Sequence, residues 1–108
     1  MNCKPLALLC LCALAGQVHA SSDQAWAELE QAVQRSCIQA SGLKNPKPLG
    51  HSAQFDDQLG YTALLLQGQY PQKHMQGRSG IELCLYHRPS RKAVVSEWDS
   101  IRPALKAR

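Results

Sequence analysis

The residues of this chain best suited to chemistry are two cysteines, three histidines and a methionine beside one of those histidines. Five cysteines are encoded in 108 residues, and Cys3, Cys10 and Cys12 fall in an N-terminal stretch that reads as an export signal. Lys4 supplies its positive start, Leu6 to Ala15 is apolar and uncharged, and Val18-His19-Ala20 leads to a cleavage point after Ala20. If residues 1–20 are removed, Cys37 and Cys84 are the pair that remains. In an oxidising compartment such a pair is expected to form a structural disulfide. A redox or metal-binding pair would call for the short C-x-x-C spacing, which these two lack. His51, His74 and His87 also survive cleavage, and His74 stands next to Met75. Thioether and imidazole together suit a soft metal such as Cu(I), which makes His74 and Met75 the residues to test for metal.

Other chemistry finds less support. A nucleophilic serine or cysteine needs a base beside it. Gly77-Arg78-Ser79-Gly80 is not the G-x-S-x-G turn of a hydrolase nucleophile. Asp56 and Asp57 are adjacent, so in a strand they point to opposite faces and do not make an acid and base pair. No phosphate-cradling glycine loop and no zinc spacing occurs. The expectation is a protein that is not an enzyme and carries no cofactor.

The most distinctive segment is Tyr70 to Arg78. It combines aromatic, basic and thioether side chains and is long for a hairpin loop. Tyr70, Lys73, His74 and Arg78 are the residues expected to contact a partner. The net charge is +4. The stretch Lys73 to Lys92 also holds Arg88 and Arg91 against Glu82 alone, so it is expected to form a local basic surface that attracts an anionic partner. Export disfavours nucleic acid. An acidic protein or an anionic envelope component fits better.

These residues must be positioned by a small set of elements. A helix is expected over residues 22–41. Ser21 and Gln24 offer a capping box, and Trp26, Leu29, Val33, Cys37 and Ala40 recur at helical spacing along one face. Gly42 is expected as a left-handed C-cap, and Pro46 and Pro48 keep the helix from resuming. Leu49, His51, Ala53 and Phe55 alternate with polar residues, a weak strand signal. Tyr61 to Tyr70, Gly80 to His87 and Lys92 to Trp98 read as three clearer strands separated by turn-rich segments. One helix followed by three or four closely connected strands implies an α+β fold, the helix packed on an antiparallel meander.

The disulfide orients that fold. Cys37 lies on the apolar face of the helix, so the strand face carrying Glu82, Cys84 and Tyr86 is expected beneath it. Ile81, Leu83 and Leu85 then point the other way. That second face needs a cover. The tail with Trp98, Ile101 and Leu105, a strong curl of the sheet, or a partner such as a second copy forming a homodimer would each supply one. Trp26, Leu29 and Val33 are expected beside the disulfide.

Two short likenesses accompany this reading. Leu83 to Val95 resembles the closing hairpin of PepSY-type periplasmic modules, with Ser90-Arg91 where that family has Thr-Gly. Ser79-Gly80 is similar to the start of a motif in small periplasmic lysozyme inhibitors, with Leu83 where they have Tyr. Neither carries residues across. The expectation is one domain over residues 21–108, periplasmic or secreted, with no membrane span after cleavage. It would act by binding, as an inhibitor, immunity or accessory module. Copper binding is the alternative reading, and a small hydrolase the second alternative.

Overall fold

A computed structural model describes residues 3–101 of the chain, with side chains from residue 22 onward. One helix precedes four strands: α1 Cys3–Ala40, β1 Lys44–Gln54, β2 Tyr61–Gln69, β3 Ser79–His87 and β4 Lys92–Glu97. The strands form one antiparallel sheet in the order β1-β2-β3-β4. With the helix on one face, this is the α+β meander expected from the order of elements. No described helix is long and apolar enough to cross a membrane.

The chain divides into two compact units, Met1–Gln31 and Ala32–Arg108. In the first, α1 runs without a break through Ser21. The expected capping box therefore lies inside the helix. A cap satisfies amides that have no carbonyl one turn before them, and in the uncleaved chain residues 17–20 supply those carbonyls. Trp26 is 61 % exposed.

In the second unit the last turns of α1 bury Val33 and Cys37. Thr62, Leu64 and Leu66 of β2 and Cys84 and Tyr86 of β3 are buried as well. The register explains this set. Leu64 lies opposite Cys84, and Thr62 opposite Tyr86, so alternate residues of both strands share one face. Fully burying side chains such as Leu64 and Leu66 stabilises by about 1.5–3 kcal/mol each. The Cys37–Cys84 disulfide closes across this core with Cα atoms 5.8 Å apart.

The helix ends differently from expectation. Gly42 is not among the residues with positive φ, so there is no left-handed cap. Glu82 of β3 closes the end instead. Its carboxylate accepts the Ser41 hydroxyl at 2.6 Å and the Gly42 amide at 3.1 Å, and the Ser41 hydroxyl oxygen accepts the Leu43 amide at 3.0 Å. A carboxylate on the helix-side face of β3 thus has a structural partner, and it steers the chain out of the helix and into β1.

β1 begins earlier than the alternation implies and includes both Pro46 and Pro48. Proline lacks an N–H and is tolerated at a sheet edge, which is where β1 lies. The strand is irregular, with register shifts between Lys44 and Lys47 and between Leu49 and Ala53. Asn45 and Gly50 have φ of 53° and 76°. Such kinks blunt an edge against further pairing.

Candidate functional site

The loop joining β2 to β3 is ordered by its own backbone. The Tyr70 amide donates to the Arg78 carbonyl at 2.9 Å, which closes the loop. Lys73–Met75 form a single 3-10 turn, and Gln76 and Gly77 reverse the chain with φ of 53° and 71°. The Arg78 amide donates to the Met75 carbonyl at 3.1 Å. Lys73, His74 and Arg78 are exposed and Met75 is half-buried.

Tyr70 has a different role from these three. Its hydroxyl donates to Asp99 Oδ2 at 2.5 Å, and the same oxygen accepts the Ile81 amide at 3.0 Å. The ring packs against Gly80, where an added Cβ would come within 2.6 Å of ring carbons. Glycine at that position is what admits the ring. The hydrogen bond to Asp99, then burial and the nearby charge of Asp99, push the Tyr70 phenol from 10.0 up to about 12. Tyr70 anchors the loop to the segment that follows β4.

The expected basic surface is split. The loop precedes β3 and the turn carrying Arg88 and Arg91 follows it, so the two lie at opposite ends of a nine-residue strand. At about 3.3 Å per residue that is a separation of roughly 30 Å. A run of cations continuous in sequence is thereby divided by the strand it contains. Arg88 is also engaged internally. Its guanidinium donates to the Tyr61 carbonyl at 2.6 Å, to Gln54 Oε1 at 3.0 Å and to the buried Thr62 hydroxyl at 3.1 Å. It also donates to the Phe55 carbonyl at 3.1 Å and pairs with Asp57 at 3.2 Å.

The fold adds two cations that sequence reasoning did not place. Lys44 lies opposite Gln69 and Lys47 opposite Gln67, which puts both at the loop end of the sheet. Both are exposed. Lys44, Lys47, Lys73 and Arg78 therefore share one end with His74. Only the pairing register of β1 with β2 reveals this, because the two lysines precede the loop by more than 20 positions in the sequence.

The three histidines lie on separate elements, while His74 and Met75 share the 3-10 turn of the loop. His51 lies in β1, His87 at the far end of β3, and His74 in the loop. His87 Nδ1 is 2.7 Å from the Ser90 hydroxyl, and its ring sits 4.9 Å from that of Tyr61. Both Cys37 and Cys84 are consumed by the disulfide. Among the described residues, no three His, Cys, Asp or Glu side chains come together as a metal-holding group.

The sheet's second face carries the side chains left over from the core. Leu49, Leu65 and Leu83 form one row across it, and Ala63, Leu85 and Val94 another. Most are half-buried, and Val94 is 62 % exposed. The Trp98 amide donates to the Ile81 carbonyl at 2.9 Å, which extends the ladder by one residue and sets Trp98 opposite Ile81 on this face. Ile101 is 55 % exposed, and Leu105 lies outside the described residues. Compared with known proteins, no family model matches the chain, and no curated protein and no solved structure matches it.

Proposed function

We propose that the chain is a small exported binding protein. Residues 1–20 act as the signal, and residues 21–108 are the domain released into the periplasm or secreted beyond it. The domain serves as an inhibitor, immunity or accessory module for an acidic protein or an anionic component of the envelope. The observation that carries this reading is the concentration of exposed cations at one end of the sheet, where Lys44 and Lys47 of β1 lie at the same end as Lys73 and Arg78 of an ordered loop. Glu82, Glu97 and Asp99 lie at the same end, each accepting a hydrogen bond from the chain itself, so it is the exposed cations of the loop and β1 that would attract an oppositely charged partner and speed encounter. Tyr70 fixes the loop that presents Lys73, His74 and Arg78.

The test is capture of a partner from envelope extract by the native chain and by charge-reversed variants. Lys44→Glu with Lys73→Glu and Arg78→Glu should abolish capture, and raised salt should weaken it. Lys92→Glu, at the opposite end of the sheet, should leave it intact. A partner list unchanged by the loop-end reversals overturns the reading.

A further inference from the structure

The two edges of the sheet are not alike. β1 is interrupted by Pro46, Pro48 and two register shifts. β4 pairs with β3 in unbroken register from Lys92 to Glu97 and contains no proline. An even, proline-free edge presents a template for another strand.

The hydrogen-bond phase of β4 is set by its ends. The Arg91 amide donates to the His87 carbonyl at 2.7 Å, and the Trp98 amide to the Ile81 carbonyl. With His87 opposite Lys92, residues 92, 94, 96 and 98 point their backbone groups toward β3. The backbone groups of Ala93, Val95 and Glu97 therefore point outward. We infer that this edge pairs with the β4 edge of a second copy of the chain, antiparallel about a two-fold axis at Val94, to make one continuous eight-stranded sheet. This inference does not rest on the binding role proposed above.

The occupant follows from self-complementarity. A two-fold axis perpendicular to the sheet keeps helix-side residues on the helix side, so paired positions must share a face. Centred on Val94, the pairing sets Ala93 against the partner subunit's Val95, Val94 against the partner subunit's Val94, and Arg91 against the partner subunit's Glu97. Each strand thus meets opposite charge at both ends, sets Lys92 against the partner subunit's Ser96, and has small apolar residues at its centre. Glu97 is exposed, and its carboxylate accepts one bond, from the Ser100 hydroxyl at 2.7 Å.

A groove of about 390 Å³ beside this edge fits the same partner. Ser36 and Ala40 of α1 form one wall, and Arg91, Ala93 and Val94 the other. In this pairing the partner subunit's Val95 and Glu97 approach that groove, the first against its alanines and the second toward Arg91.

Sedimentation equilibrium on the disulfide-bonded chain tests the inference. The native chain should associate reversibly to a dimer. Ala93→Pro removes an N–H that points away from β3, so it should give a monomer with an unchanged disulfide and native circular dichroism. Arg91→Glu and Glu97→Arg should each weaken the dimer about tenfold, and combining them should restore it. A chain that stays monomeric up to about 1 mM overturns the inference. So does a dimer that persists in Ala93→Pro, which would place the contact on the Leu65 and Leu85 face. Charge reversals that fail to rescue each other overturn the proposed register, and an edge occupied only by a foreign extended peptide overturns the choice of a second copy.

Discussion

Replacing Arg88 offers the sharpest check on how this domain holds its far end together. Its side chain is 18 % exposed and spans from the β1–β2 turn to the start of β2. The Asp57 contact is the weak part, because that carboxylate stands fully in water, and exposed ion pairs contribute little. Gln54 and Phe55 are exposed as well, so water replaces the guanidinium there. The bonds that count go to the Tyr61 carbonyl and to Thr62, which is 0 % exposed. Two such bonds from a charged donor, lost without full replacement, cost about 2–3 kcal/mol. Arg88→Met keeps the apolar stem and removes the donors, so it should lose that amount in urea unfolding followed by circular dichroism. Arg88→Lys should recover less than half of it, since an ammonium cannot fork to several acceptors at once. Asp57→Ala should leave the midpoint unchanged. A loss below about 1 kcal/mol in Arg88→Met, or an equal loss in Asp57→Ala, would refute the reasoning.

Two further outcomes are expected. Cys37 and Cys84 are 47 positions apart, and in the chain-entropy model a loop of that length stabilises by about 4 kcal/mol. Cys37→Ala with Cys84→Ala should lose most of that in denaturant, and a change under about 1 kcal/mol would count against the disulfide as the main staple. Tyr70 titrates at about 12 in the folded chain, against an ordinary value of 10.0. A raised folded value means stability is complete below pH 10 and is lost as the pH climbs toward 12, because the unfolded chain releases this proton first. Asp99→Asn should bring the tyrosinate absorbance titration back toward the ordinary value, and an unmoved titration would sink the assigned cause.

Much of the fold was legible because its signals are local. β2, β3 and β4 each start or end within a residue or so of the alternating runs that announce them. β1 was only half legible, since its two prolines read as breakers and become acceptable only at a sheet edge, a property of the neighbours. In the uncleaved chain the helix starts earlier than the capping box implies, for a related reason. Ser21 and Gln24 match a capping box, but a cap requires a chain that is not already helical before it. The candidate site was legible as a loop and illegible as a charge distribution. Tyr70, grouped with Lys73, His74 and Arg78 by proximity in sequence, is tied to Asp99, while Lys44 and Lys47 stand near the loop through strand pairing.

The amino-acid sequence by itself determined the element types, the order of one helix before several strands, and the two cysteines that join them. Periodicity, turn residues and cysteine spacing act over a few neighbours and need no knowledge of the rest. Only the tertiary structure decided what those side chains do. It assigned Glu82 to the helix end, committed Arg88 to carbonyls and a buried hydroxyl, and parted one basic run to two ends of a strand. It also left one sheet edge broken by proline and the other regular. Each of these depends on which residues lie opposite one another, and register is a property of paired strands that no single segment contains.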